Sequence, residues 1–511
     1  MIRKSLFHAC LWRTAVVCLS GLLFTACGSD DSDDSTGSSA TEPVTNRSLA
    51  FPGAEGSAAT ITGGANTPRP YIVTNLNDSG EGSLRDAVST SGRTIVFAVS
   101  GTINLKSNLN ITANNLTIAG QSAPGDGICV AGYPVKISKS KNIIVRYMRF
   151  RLGDQNIEQS NFDADSGDAL EVKDSKDIMI DHCSISWSTD ECASFPRVSN
   201  LTVQYCIISE SLKLSGHSKG NHGYGGIWGG SNATYHHNLL ADHDSRNPRF
   251  GHQYTAYNED TRVLTMGTID YVNNVVYDWG GNSCYGGESC DEAYHINMIG
   301  NYYKPAKNAT HTSSNPNRLL EMTGTCDNCE KVSKASCHPG YFYISGNYVN
   351  GNASKDWDAV DSKNTTYKLN SRYTTGLTSV IKTPENAEQA YETVLAYAGA
   401  CGSNNKRDAV DERIVRQVKN DTGKLINRVS DTGAGYPTLS DTGAPADTDG
   451  DGMPDAWETE QLKTNNITDK TFRTLQPNAY TFSKKYTNLE VYLNSLVVNT
   501  FPTGAGAGAI K

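Results

Sequence analysis

Short apolar segments with strand character recur between residues 95 and 350, and this repetition constrains the fold more than any other feature. The spacers between neighbouring copies vary in length. Constant short strands with variable spacers indicate a solenoid in which the coils stack while their loops differ. A β-propeller, the main alternative, needs a regular blade-length period, which is absent. We therefore predict an all-β protein, a right-handed parallel β-helix with a small C-terminal extension. The copies are Asn115–Ile118, Asn142–Val145, Asp177–Ile180, Asn200–Val203, Ile269–Val272 and Phe342–Ser345.

Asparagine follows several of these strands, at Asn238, Asn274, Asn301 and Asn347. A side-chain amide both donates and accepts hydrogen bonds, so stacked asparagines can satisfy buried backbone groups at a turn. We expect these four residues to form a ladder along the solenoid.

The composition fits this fold and narrows the class of partner. Only 19% of the 511 residues are charged, and 47 are glycine, as in an ordered, turn-rich β protein. The formal net charge of -9 argues against a nucleic-acid partner. It does not exclude an anionic sugar polymer, because bound metal ions can reverse the local field.

The first residues form a targeting signal rather than part of the folded domain. Basic residues precede an apolar run, 15–24, that is too short to span a bilayer and predicts a signal peptide, 1–26. The run ends in Leu23–Cys27, which resembles a bacterial lipoprotein box with lipidation at Cys27. A polar tether follows, 27–50. We expect an exported protein that meets the membrane only through a lipid anchor, on the outer membrane or cell surface. The alternative is a plainly secreted protein.

The remaining chain divides into three predicted parts. Residues 51–405 form the β-helix, 406–446 a covering arm or linker, and 447–511 a C-terminal unit. Apolar periodicity predicts one helix over 385–399, ended by a glycine, and a second short helix over 407–418.

Ten cysteines follow the signal region. In an oxidising compartment they favour disulfides. Cys326, Cys329 and Cys337 could instead belong to a zinc site. No second Cys/His pair follows at the required spacing, so we prefer local disulfides there.

Five ordered motifs in the centre of the chain resemble polysaccharide lyase family 1, the pectate lyases. The resemblance covers roughly residues 51–350. It implies β-elimination in α-1,4-polygalacturonate, releasing 4,5-unsaturated oligogalacturonides during pectin degradation. The motifs are Gly167–Leu170, Ile180–Trp187, Tyr235–Asn238, Ser245–Gly251 and Val272–Asn274.

The implied reaction requires a cation. Removing the weakly acidic C5 proton builds negative charge beside the C6 carboxylate, and a hard ion such as Ca²⁺ neutralises it. The resemblance makes Asp168 the first calcium ligand, with Asp190 and Glu191 one coil later. Many family members place a further aspartate where this chain has Ser194, so Glu191 is the expected substitute.

The same resemblance assigns the substrate-facing cations. Arg246 matches the family's catalytic arginine, which acts as the base, and Arg249 its substrate-carboxylate clamp. Lys219, in a glycine-rich segment, is the expected substrate-binding lysine, with Lys213 as the competitor.

A second motif has the spacing of an EF-hand calcium loop. Carboxylates occupy loop positions 1, 3, 5, 9 and 12, and a glycine occupies position 6. We expect a structural calcium ion here. The predicted ligands are Asp447, Asp449, Asp451, Met453 through its carbonyl, Asp455 and Glu458.

Three other functions stay open. A pectin lyase would act on methyl-esterified polymer and generally lacks the catalytic calcium, which Asp168 and Asp190 disfavour. A glycoside hydrolase on the same fold would need a carboxylate pair and attack by water. A surface glycan-binding lipoprotein would be non-catalytic. We expect a monomer that binds polygalacturonate or pectin.

Overall fold

The structure, a computed structural model, describes residues 49–251, 267–288, 294–308, 311–323, 339–352, 356–362, 368, 372 and 379–502. These residues belong to one compact unit, Val44–Lys511. The predicted signal peptide, Cys27 and most of the tether lie outside the described residues, as do Cys326, Cys329 and Cys337. No helix within the described ranges is long and apolar enough to cross a membrane.

The longest sheet has ten strands, all parallel to their neighbours. They follow one another along the sheet in chain order, as successive turns of a solenoid must. The strands are Tyr71–Val73, Thr94–Phe97, Leu116–Ala119, Lys141–Arg146, Ser175–Asp181, Val198–Gln204, Ser231–His236, Thr268–Val272, His295–Ile299 and Tyr341–Ser345.

A second sheet has nine strands, also parallel and in chain order. Each strand belongs to the same coil as a strand of the ten-stranded sheet and follows it in the chain. The strands are Gly101–Asn104, Ile128–Ala131, Arg149–Arg151, Ser184–Ser186, Ile207–Ser209, Leu239–His243, Val275–Trp279, Tyr302–Lys304 and Tyr348–Val349.

The third side is split into a four-stranded and a five-stranded parallel sheet. A parallel bridge between Phe195 and Trp228 links the two. Parallel sheets around a shared core confirm the predicted parallel β-helix. The strands are Leu109–Ile111, Val135–Ser138, Leu170–Lys173 and Ala193–Ser194, then Ile227–Trp228, Arg249–Phe250, Cys284–Gly286, Leu320–Met322 and Val360–Ser362.

The core is built by stacking like residues on like. Ile143, Ile178, Leu201, Ala233 and Ile269 are directly paired in neighbouring strands, and each is fully or almost fully buried. Burying one branched side chain contributes ~1.5–3 kcal/mol. A period-two strand repeated in fixed register therefore stabilises each coil against the next.

The predicted asparagine ladder is present. The Nδ2 of Asn238 donates to Oδ1 of Asn274 at 3.0 Å, and that of Asn274 to Asn301 at 3.1 Å. Asn301 donates in the same way to Asn347 at 2.9 Å. Each Nδ2 also donates to a backbone carbonyl of a preceding strand, so the ladder satisfies buried backbone groups as expected. In an earlier coil Cys206 takes this position.

Both predicted helices form, with ends shifted by about two residues. The helix Ala387–Tyr397 begins at Asn386, whose side chain and Gln389 form a reciprocal capping box. It stops before Gly399, whose φ of +102° suits glycine. The helix Ala409–Asn420 begins after Asp408. Among the described residues, the other helices are Leu84–Ala87, Asp455–Thr464 and Asn488–Ser495, and the 3-10 turns are Gly120–Ser122, Ala164–Ser166, Trp357–Ala359, Val429–Thr432 and Phe472–Thr474.

Buried ion pairs fix the helix Ala409–Asn420 to the nine-stranded sheet. Arg151 reaches Asp411 at 2.9 Å and also pairs with Asp408, while Arg149 lies 3.1 Å from Asp408. All four side chains are buried. Removing one partner of such a pair leaves an uncompensated charge and costs ~3–5 kcal/mol.

The C-terminal segment covers the first coils. Met453, Leu489 and Leu493 pack against Val96 and Ala119 of the ten-stranded sheet. The predicted calcium loop therefore lies on this sheet, whereas Asp168 belongs to the four-stranded side of the β-helix.

The expectation of disulfides is wrong for the cysteines that the structure describes. All six of them are unpaired and buried. Two of them lie in strands and three lie beside strand ends, while Cys401 packs with Tyr147 and Val497, and buried thiols in such places behave as small apolar groups. They are Cys129, Cys183, Cys192, Cys206, Cys284 and Cys401.

Candidate active site

Four consecutive coils each place one side chain of the candidate site at or next to the same position. These side chains belong to Asp168, Glu191, Tyr224 and Arg246. Asp168 precedes the strand Leu170–Lys173, and Glu191 precedes the next strand of that sheet. Parallel bridges then join Glu191 to Tyr224 and Tyr224 to Ser245, the residue before Arg246. The fold thus brings together residues that are far apart in the chain.

Three carboxylates converge at this point. Single oxygens of Asp168, Asp190 and Glu191 lie within 4.8 Å of one another. Burial, followed by the charges of Asp190 and Glu171, raises the pKa of Asp168 well above its usual range. Oxygen donors that repel one another in a poorly solvated place fit a hard divalent cation.

Ser194, the residue expected to replace an aspartate, contributes a hydroxyl instead of a charge. It is buried and hydrogen-bonds the Asp168 carboxylate, and it accepts the Ile227 N–H at 3.2 Å. The backbone N–H of Glu191 also donates to Asp168, at 3.2 Å. These contacts hold Asp168 in place without adding a further ligand charge.

Arg246 faces the carboxylates directly. Its Nη1 forms an ion pair with Oε1 of Glu191. The guanidinium carbon lies 4.6 Å from the centre of the Tyr224 ring, and the residue has a left-handed φ of +57°. The ring and the ion pair together fix the plane of the guanidinium beside the predicted metal ligands.

Arg249 lies in the strand Arg249–Phe250, three residues after Arg246 in the same coil. Its Nη2 pairs with Glu288, which also accepts the hydroxyl of Thr323. The Arg249 side chain keeps 20% of its surface exposed. It can therefore meet a polymer carboxylate from solvent once it exchanges partners.

The two lysines have different surroundings. Lys213 is half-buried, and its ammonium pairs with Asp244 at 2.8 Å, two residues before Arg246. Lys219 is exposed, and its backbone N–H donates to His217 Nδ1 at 3.1 Å. Lys213 is thus held by an ion pair close to Arg246, whereas Lys219 projects from the glycine-rich loop.

Two histidines of that loop lie against Asp190. His222 Nε2 is 2.6 Å and His217 Nε2 is 3.7 Å from Asp190 Oδ1. The two rings stack with centres 3.6 Å apart. Burial, and next the neighbouring His222, lower the pKa of His217, which favours its neutral form.

The C-terminal loop is folded around its first carboxylate. Asp447 accepts the backbone N–H groups of Gly450, Asp451 and Gly452 at 2.9, 3.1 and 2.9 Å. Oxygens of Asp447, Asp449 and Asp451 lie within 4.8 Å of one another. The N–H of Met453 donates to Asp451 at 2.9 Å.

Glu458 completes this loop in a way that fits a cation. It is fully buried, and neither of its carboxylate oxygens has a hydrogen-bond partner among the described residues. Burial, then the Asp451, Asp449 and Asp447 charges, raise the pKa of Glu458 to about 9. Burial likewise raises the pKa of Asp451 to about 7. A divalent ion would relieve this repulsion.

Asp455 has a different partner from the one expected. Its carboxylate accepts the N–H and the hydroxyl of Thr448 at 2.8 and 2.5 Å, and these bonds lower its pKa. Any role at loop position 9 would therefore run through a water molecule, as is common in such loops.

Three further residues of the site were not predicted from the sequence: Tyr224, Glu288 and Asp165. Tyr224 lies beneath Arg246, Glu288 pairs with Arg249, and Asp165 lies 3.3 Å from His217 Nδ1. Only Tyr224 had a sequence signal, because it belongs to the same glycine-rich segment as Lys219.

Comparisons with known proteins point to one family. A family model described as pectate lyase matches residues 54–268. Probable pectate lyase C from Aspergillus terreus is 34% identical over 470 residues, which cover 89% of this chain and 95% of that protein. Pectate lyase 1 from Pectobacterium atrosepticum is 32% identical over 145 residues, covering 25% of this chain and 35% of that protein.

Solved structures with detectable likeness are more distant. Pectate lyase Bsp165PelA from Bacillus sp. N165, solved with trigalacturonate, has a TM-score of 0.43 and 16% identity and covers 68% of this chain and 98% of that one. The cedar pollen allergen jun a 1 has a TM-score of 0.44 and 15% identity, covering 66% and 90%.

Proposed function

Because this chain belongs to the pectate lyase family, we propose that it cleaves α-1,4-linked polygalacturonate by calcium-assisted β-elimination. One observation carries the proposal beyond family membership. Arg246 is paired with Glu191 at the place where Asp168, Asp190 and Glu191 converge. A base and a cation site side by side are what abstraction of a proton next to a carboxylate requires.

The cation belongs to the proposal. Asp168, Asp190 and Glu191 would hold Ca²⁺, which when bound supplies a Lewis acid that neutralises the substrate carboxylate. The raised pKa of Asp168 supports this assignment, because an isolated buried carboxylate would otherwise take up a proton.

Substrate binding falls to the remaining cations. Arg249 is proposed to hold a polymer carboxylate through its planar fork. Lys219, with Lys213 as the alternative, is proposed to bind a second carboxylate.

Arg246 is proposed to take the C5 proton. A guanidinium acts as a base only in its neutral form, so in this proposal Arg246 parts from Glu191 and gives up one proton before it attacks the C5 proton. The C5–H electrons then form the C4–C5 double bond, and the C4–oxygen bond breaks. The departing oxygen takes a proton from water. These requirements favour alkaline conditions.

The second set of carboxylates has a structural role in this proposal. Asp447, Asp449, Asp451 and Glu458 would bind calcium and so fix the C-terminal segment over the first coils. Export with lipidation at Cys27 also stays a proposal, supported by the sequence of the first residues alone.

The test is the ultraviolet absorbance of the unsaturated product, measured on polygalacturonate with calcium and after exhaustive chelation. We expect product with calcium and none without it. Saturated products would indicate hydrolysis instead. Full activity after chelation, or preference for methyl-esterified polymer, would favour the pectin lyase alternative.

A further inference from the structure

A buried imidazole pair beside the candidate active site has no role in the proposed reaction. His217 and His222 are 6% and 2% exposed. Both come from the loop between the strands Ile207–Ser209 and Ile227–Trp228, and both present a ring nitrogen to Asp190. Nitrogen and oxygen donors of these three residues lie within 4.8 Å of one another.

His222 is not satisfied by hydrogen bonds. Its Nε2 lies 2.6 Å from Asp190 Oδ1 but lacks the alignment of a hydrogen bond, and its Nδ1 has no hydrogen-bond partner among the described residues. A buried polar atom left in this state costs ~1–3 kcal/mol. The position of this ring therefore calls for another ligand.

His243 shows how the same fold satisfies a buried imidazole. Its Nδ1 lies 2.8 Å from the Ser211 hydroxyl, and its Nε2 lies 3.0 Å from the Ile208 carbonyl. Both ring nitrogens are used, although the ring is as buried as that of His222. Burial in this solenoid thus does not by itself leave ring nitrogens unpaired.

We propose that Asp190, His217 and His222 form a further cation site, for a divalent transition metal such as Zn²⁺, beside the calcium ligands of the candidate active site. Imidazole nitrogen suits zinc, cobalt and nickel, whereas calcium takes oxygen donors. Two histidines and one carboxylate form a common zinc donor set and leave a position for water. The proposed elimination does not use the two histidines, and the two sites share only Asp190.

Asp165 supplies the outer support that such a histidine needs. Its Oδ1 lies 3.3 Å from His217 Nδ1, the nitrogen opposite the one that faces Asp190. When Nε2 binds a metal, the ring proton is on Nδ1, where Asp165 accepts it. The exposed Lys219 N–H, which now donates to Nδ1, then turns to water. A carboxylate behind a metal-binding histidine raises its basicity and fixes its orientation.

The site can be tested on the whole protein with Co²⁺ as the probe and Zn²⁺ as the competitor. The readouts are the visible absorption of Co²⁺ bound to nitrogen and the calorimetric stoichiometry, both after prior saturation with calcium. We expect one Co²⁺ per chain, displaced by Zn²⁺. His222→Gln and His217→Gln should each weaken Co²⁺ binding by at least ~100-fold, and Asp165→Asn by ~10-fold.

His311→Gln is the matched control, because His311 also faces a carboxylate, Asp278, through Nδ1, but no second imidazole is described beside it. Its Co²⁺ affinity should equal that of the parent. Equal losses in His311→Gln and His222→Gln, or no Co²⁺ absorption in the parent, would overturn the proposal. Thermal melts without metal verify that each variant is folded. Product formation without Co²⁺, measured in parallel, reports on the lyase proposal alone.

Discussion

Replacing Glu458 by glutamine should change stability in opposite directions with and without calcium. Glu458 is fully buried, and its pKa is raised from 4.5 to about 9. A folded-state pKa above the unfolded one means that stability is highest below pH ~4.5 and falls as the pH rises toward 9. The calcium-free parent therefore loses stability across this window, and the glutamine variant does not.

The magnitude follows from the same shift. At about pH 7.5, three pH units separate the solution from the unfolded pKa, which corresponds to ~4 kcal/mol at ~1.4 kcal/mol per unit. The loop can open toward water, so we expect roughly 2 kcal/mol of this to be measurable. For a chain of this length that is a rise in Tm of a few degrees for Glu458→Gln in chelator.

Calcium should reverse the order. The parent gains stability by binding the ion, whereas Glu458→Gln lacks the bidentate ligand and gains less. The assay is thermal unfolding of both proteins at about pH 7.5, in chelator and in calcium, with Glu460→Gln on the exposed face of the same helix as the control. A parent that melts at the same temperature in both conditions, or a variant that is less stable in both, would refute the reasoning. A variant that lost turnover while keeping its Tm would show that the loop is not structural.

Three further outcomes are expected. Asp242→Asn should raise the Tm at alkaline pH by a few degrees and leave it unchanged near pH 4, because burial and then Asp278 raise the pKa of Asp242 well above its usual value. Asp469→Asn, on the surface, is the control, and an unchanged Tm of the Asp242 variant at alkaline pH would contradict this prediction. Asn274→Ala should lower the free energy of unfolding by ~3 kcal/mol, since it leaves buried hydrogen-bonding groups in two coils without partners. Asn104→Ala, at an exposed strand position, should cost little, and similar losses in the two variants would argue against the ladder. Arg249→Lys should weaken oligogalacturonate binding at least as much as turnover, measured by calorimetry and steady-state kinetics, and a pure loss of turnover would exclude a clamp.

The fold was predictable because its periodicity is local. Each apolar strand and each following asparagine is visible in a few residues, and stacking repeats that local pattern coil after coil. The helix Ala387–Tyr397 was equally visible, from its apolar face and Gly399. The unpaired state of the described cysteines could not be predicted, because an oxidising compartment does not determine whether two thiols pack next to each other. Cys206 occupies a ladder position that no spacing rule assigns to cysteine.

The candidate site was predictable only in part, since its geometry depends on pairing between distant loops. The motifs identified Asp168, Glu191 and Arg246, and the fold places them at one edge. They gave no sign that Arg246 is paired with Glu191. The contacts of Asp190 with two histidines depend on the conformation of the long loop between Ser209 and Ile227, which local sequence does not encode.

The most direct test of the account is the turnover of Arg246→Lys on polygalacturonate with saturating calcium, read as unsaturated product, together with calorimetric binding of an oligogalacturonate. Lysine keeps the charge but loses the reach and the planar fork that place Arg246 beside Glu191 and over Tyr224. We predict a loss of several powers of ten in turnover with binding retained. Turnover within about tenfold of the parent would contradict a base at Arg246. The role would then pass to Lys219 or to a histidine of the same loop.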